Sequence, residues 1–160
     1  MSNISNSKLS PYEKLLLILP GFKGYKNRDL IKQDDMIVKN AIRDNLSRLR
    51  ENLERNENDI SEKNPFDPMI SKYEKTISLL RFFITSVSGA PSGAYNYHDR
   101  FKIDEEILKK IVEYDYEIVS QTKELMDNKI LDNDVLYSKL LQLMEKFSER
   151  EKFFIPESVR

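Results

Sequence analysis

NRDLIKQDDMIVKNAIRDNLSRLRENLERN, residues 27–56, is the longest helical pattern in this chain of 160 residues. Ile31, Val38, Ile42, Leu46, Leu49 and Leu53 recur three, four or seven apart, so a helix gathers them on one face and turns the charged positions outward. At about 1.5 Å per residue the helix spans on the order of 40 Å, and an apolar face of that length needs other helices to cover it.

The rest of the chain supplies them. Upstream, Ser10-Pro11-Tyr12-Glu13 reads as a cap, a first-turn proline and a capping-box glutamate, which predicts a short apolar helix to about Leu19, stopped by Pro20-Gly21. Downstream, residues 56–68 are polar and end in Asn64-Pro65-Phe66-Asp67-Pro68, the pattern of a connector followed by a fresh cap. A third helix over 68–87 carries Ile70, Tyr73, Ile77, Leu80, Ile84 and Val87, widened by Leu79, Phe82 and Phe83, and is expected to be the most buried element. Asp104, Glu105 and Glu106 open a fourth through Ile107, Ile111, Ile118 and Leu125, which ends over 128–133. A fifth, over 134–154, repeats Leu136, Leu140, Leu143 and Phe147 as a coiled-coil-like seam before Pro156. No strand-period run survives its neighbours. The expected class is all-α, a mainly antiparallel bundle of four long helices with the short N-terminal helix across one end. Residues 1–160 make one domain, with 1–9 and 156–160 as flexible tails.

Composition narrows function by exclusion. Lys and Arg number 26 against 27 Asp and Glu, a net charge of -1, which argues against a generally cationic nucleic-acid binder. With no cysteine there is no disulfide, thiolate metal site or thiol nucleophile. The apolar run Leu15-Leu16-Leu17-Ile18-Leu19 is far shorter than the roughly 20 residues that span a bilayer. A cytoplasmic protein without cofactor is expected.

Two segments stand out as contact surfaces. The 21–29 turn sets Phe22 and Tyr25 directly after glycines 21 and 24, and residues 23–32 hold Lys23, Lys26, Arg28 and Lys32 against Asp29 alone. Such a turn, running into a helix N-terminus, suits an anion or a partner, although the spacing of a P-loop is absent. The second is the 88–101 loop, small residues followed by Tyr95, Tyr97, His98, Arg100 and Phe101, aromatic and cationic types that dominate interfaces. Phe147, Phe153 and Phe154 are either plain core or an exposed tail patch.

Three carboxylates are out of place. Asp34 shares a helix face with Leu30, Ile37 and Ala41, Asp35 shares one with Ile31, Val38 and Ile42, and Asp115 sits in the stripe between Ile111 and Ile118. A buried carboxylate needs a partner, and Lys39, Arg81 or Arg100 are the candidates. A di-metal bundle would require Glu-x-x-His pairs, and none occurs, so no metal is assigned. An enzyme built on Asp35, Asp115 and His98 would need those three to converge. No G-x-S-x-G context accompanies the histidine, and no catalytic residue is assigned.

Gly24-Tyr25-Lys26 ahead of a helix with Arg28, Asp29, Asp35 and Lys39, followed later by Phe101-Lys102-Ile103-Asp104-Glu105-Glu106 and Glu113-Tyr114-Asp115, resembles an uncharacterised group of prokaryotic helical proteins. The likeness covers 21–50 and 95–120 and implies no activity. The leading expectation is a non-enzymatic helical interaction module that grips a protein partner or a second copy through Phe22, Lys23, Tyr25, Lys26, Arg28, Lys32, Tyr95, Tyr97 and Arg100. The alternative is a phosphate-bearing partner, whether RNA, DNA, nucleotide or anionic lipid, held by the basic 23–32 turn.

Overall fold

The computed structural model describes residues 8–26, 28–90, 104–128 and 132–154, with residues 28–30 described by their backbone alone. Every regular element among them is helical: α1 Pro11–Ile18, α2 Arg28–Lys63, α3 Pro68–Gly89, α4 Glu105–Asp127 and α5 Asn133–Lys152. The chain is an all-α bundle of four long helices and one short one.

Local chemistry sets most of the ends. At α1 the capping box forms in full, with the Glu13 N–H donating to the Ser10 hydroxyl and the Ser10 N–H donating to the Glu13 carboxylate at 2.8 Å. Asp67 accepts from the Met69 N–H to start α3, and Asp132 accepts from the Asp134 N–H to start α5. Asp104 holds the N-cap position of α4 but makes no side-chain capping bond. The 56–68 connector contracts to four residues, because α2 continues to Lys63. Apolar periodicity fades after Leu53, yet nothing before Pro65 breaks a helix, and the Asn64 N–H still reaches the Ile60 carbonyl at 2.9 Å.

In space α2 and α5 each lie against both α3 and α4, and α1 lies against α4. The Asn45 side-chain amide donates to the Thr122 hydroxyl at 3.1 Å, and Tyr25, just ahead of α2, meets Asp115, so α2 and α4 run parallel. Lys72 pairs with Asp134 at 3.1 Å and Phe83 meets Phe147 at 6.2 Å between ring centroids, so α3 and α5 run parallel too. Direction alternates along the chain, as in an antiparallel bundle, while these two neighbouring pairs point the same way. Lys14 of α1 sits over the Tyr116 ring, and half-buried Leu108 and Tyr116 of α4 join the apolar cluster that buries Leu15. The short helix therefore packs on the first half of α4. More of α4 than of α3 is buried, through Ile111, Val112, Asp115, Ile118, Val119, Thr122 and Leu125. Phe82 of α3 stands 62% exposed. Phe147 and Phe154 are core, and Phe153 is half-buried against the Tyr114 ring.

Candidate functional site

The segment between α1 and α2 is built on anchors three or four residues apart. Leu15, Leu19, Phe22 and Tyr25 all point inward and are nearly or fully buried, and the Tyr25 ring meets Phe22 edge-on at 5.4 Å. The turn needs left-handed backbone at Gly21 (φ 85°), Gly24 (φ 76°) and Tyr25 (φ 58°). Glycine is demanded twice over at position 24, since a Cβ there would lie 2.2 Å from the Tyr12 ring. Tyr25 has no such freedom, and its conformation is sustained by what the turn binds. The N–H groups of Lys23 and Tyr25 each donate to one oxygen of the Asp34 carboxylate, both at 2.7 Å. The turn does hold an anion, and that anion is the chain's own.

Below the turn lies a second, larger polar cluster with no exposed member at its centre. Arg150, fully buried near the end of α5, donates through Nε to Asp115 of α4 and through Nη1 to Asp35 of α2 at 2.8 Å. Its Nη2 donates to the Tyr25 hydroxyl at 3.2 Å, and that hydroxyl donates to the other oxygen of Asp115. Lys39 donates to Asp35 at 2.9 Å and reaches Glu151 at 3.3 Å, and Glu151 accepts again from Arg150. The Phe154 ring covers the guanidinium, centroid to Cζ 5.1 Å. One arginine thus ties the end of α5 to α2, to α4 and to the turn.

The electrostatics follow the geometry. Burial alone would push the Asp35 carboxyl up, but Arg150 and Lys39 outweigh it and hold the group below the usual carboxylate range. Burial dominates at Asp115 and raises it, against the pull of Arg150 and the Tyr25 hydroxyl, with Asp35 adding to the rise. Burial, then the Asp115 charge, lifts Tyr25 well above the ordinary phenol value.

The sequence-predicted residues divide accordingly. Asp34, Asp35 and Asp115 are all fully buried, and Asp35 and Asp115 converge on Arg150. Lys39 satisfies Asp35 as expected, whereas Arg81 faces outward and pairs with Glu54 at 2.9 Å. Arg150 escaped notice, although it continues the seam of Leu136, Leu140, Leu143 and Phe147 by three more residues. Phe22 and Tyr25, expected on a contact surface, are core residues at 3% and 1% exposure, because the four-anchor spacing turns them inward. Lys23, Lys26 and Lys32 are exposed. Arg28 begins α2 with its side chain outside the described residues, as are Tyr95, Tyr97, His98 and Arg100. Among the described residues no three His, Asp or Glu side chains are grouped to hold a metal ion. No family model, curated protein or solved structure matches the chain.

What remains at the surface is a strip between the anchors. Leu16, Leu17 and Ile18 are 41%, 71% and 37% exposed, Pro20 and Gly21 are exposed after them, and Lys23 and Lys26 follow. No acidic residue occurs from Lys14 to Arg28. Beside it, a cleft of about 680 Å³ between α1, the turn and α4 sets Lys26 and Lys109 against Glu105 and Glu113, a balance that selects neither sign.

Proposed function

We propose that this chain is a non-enzymatic helical interaction module whose docking surface is the outer side of residues 16–26, held out by the buried anchors Leu15, Leu19, Phe22 and Tyr25. The observation that carries the reading is the exposure of three consecutive aliphatic side chains on α1, continuous in sequence with two exposed lysines and free of acids. Other exposed large apolar residues such as Phe66 and Phe82 stand apart from such a run. Aliphatic area left in water is the usual mark of a surface that another body covers. The buried carboxylates support a structural role: Asp34 closes the turn, and Asp35 and Asp115 are both engaged by Arg150. An acid–base or shared-metal role for Asp35, Asp115 and His98 has no such support.

The occupant is a protein partner, a second copy, or a phosphate-bearing surface, and the last is favoured by the exposure of Lys23, Lys26 and Lys32, which form no ion pair among the described residues, while the turn's backbone is engaged with Asp34. The test compares the wild-type chain with Leu17→Ser in light scattering and in affinity capture at two salt concentrations, with nuclease treatment in parallel. Self-association or capture that disappears in Leu17→Ser supports the module. Association that is indifferent to Leu17 removes residues 16–26 as its surface.

A further inference from the structure

We infer that the body covered by residues 16–26 is an anionic lipid surface, a step that rests on the reading of this strip as a docking surface. Consecutive helical residues stand about 100° apart, so Leu16, Leu17 and Ile18 fan over roughly 200° of the circumference of α1. A rigid protein groove takes a stripe about half that wide, whereas the soft boundary between headgroups and acyl chains closes around a convex tip from every side. The strip carries the side-chain types that such a boundary takes: aliphatic Leu16, Leu17 and Ile18 suit the acyl side, uncharged Pro20 and Gly21 the boundary, and exposed Lys23 and Lys26 the phosphates.

Charge agrees with shape. Across the 15 residues from Lys14 to Arg28 the strip itself carries no carboxylate, and the acids of the adjoining cleft, Glu105 and Glu113, belong to α4 and are matched there by Lys26 and Lys109. Glu13, on the outward face of α1, is tied back to the Ser10 N–H and hydroxyl at 2.8 and 2.9 Å. Asp34 beneath the turn is fully buried. The four anchors hold the strip in place before contact, so no folding step is charged against binding. No described helix is long and apolar enough to cross a membrane, which makes this a surface contact.

Vesicle flotation tests it, with phosphatidylcholine alone and phosphatidylcholine mixed with phosphatidylglycerol as the two surfaces. The full chain should float with the mixed vesicles only and fall away as salt rises. Leu17→Ser should abolish flotation, and Lys23→Ser or Lys26→Ser should each weaken it about fivefold, the effect of roughly 1 kcal/mol per basic residue at an anionic surface. Leu141→Ser, at an exposed leucine on α5 (44%), should change nothing. All four positions are exposed, so unchanged urea midpoints confirm that the variants fold. Failure to float with either vesicle, or flotation indifferent to Leu17 and Lys23, overturns the lipid assignment. If vesicles fail while Leu17→Ser still disrupts self-association or protein capture, the docking strip stands and only its occupant was misassigned. If no readout depends on Leu17, both fall.

Discussion

Arg150 shows how one residue can organise a bundle. Its guanidinium is fully buried among Asp35, Asp115, Glu151 and the Tyr25 hydroxyl, and three elements depend on it. Deleting one partner of a buried ion pair strands the other charge, which costs about 3–5 kcal/mol. Arg150→Met should therefore lower stability by about that much in urea, with two carboxylates left without their guanidinium. Adding Asp115→Asn should return part of the loss, since one stranded charge goes. A loss below about 1 kcal/mol in Arg150→Met would mean that the cluster contributes little beyond packing. Tyr25 gives the same cluster a pH signature. Its folded value lies above the unfolded one, because burial and the neighbouring Asp115 charge oppose the phenolate. Stability from such a group is complete below the unfolded value near 10 and is lost as pH rises through the folded one. Tyr25→Phe cannot lose its phenol proton, so the wild-type advantage over this variant should hold up to about pH 10 and shrink as pH rises above it in paired urea titrations. A constant advantage would mean that the folded phenol titrates no higher than the unfolded one, against both its burial and the Asp115 charge.

At the level of elements, helix type and number were legible because apolar residues recur at three and four and because caps and prolines mark the ends, as at Ser10-Pro11 and Asp67-Pro68. The end of α2 was not. Residues 57–63 carry almost no apolar signal, and a polar stretch without a breaker reads equally well as connector or as solvated helix. Propagation decides: once a long helix exists, each further residue adds a hydrogen bond without a new nucleus, so α2 runs on until Pro65. Neighbouring α3 also reaches this stretch, since Glu57 is lifted above the usual carboxylate range by slight burial and by the nearby Glu74. Asn58→Pro distinguishes helix from connector. In helix it should cost about 3 kcal/mol and reduce the helical circular dichroism signal, whereas in a connector it would be close to neutral.

For the whole molecule, the interior and the outer strip obey different rules, and the sequence exposed the first better than the second. A carboxylate in an apolar stripe announces a buried partner, so Asp35 and Asp115 could be singled out, but which cation answers depends on bundle geometry that only tertiary packing supplies. The glycine-punctuated turn misled in a related way. Cations and rings alternate there with the period of a surface, yet the rings belong to the inward series that begins at Leu15, and the anion the turn binds is Asp34. Once Phe22 and Tyr25 are assigned to the core, the residues between them are left as surface, and stability and docking become separable. Leu17→Ser combined with Lys23→Ser should leave the urea midpoint within about 0.5 kcal/mol of wild type, since neither side chain is buried, while eliminating docking in the vesicle, scattering and capture assays alike. Arg150→Met should do the reverse. It should lower the midpoint, yet below its melting temperature it should dock with wild-type affinity, because Arg150 is fully buried and touches none of the exposed strip. Docking lost in Arg150→Met while the chain is still folded by circular dichroism would show that the cluster shapes the surface through Tyr25, which joins the two at the turn.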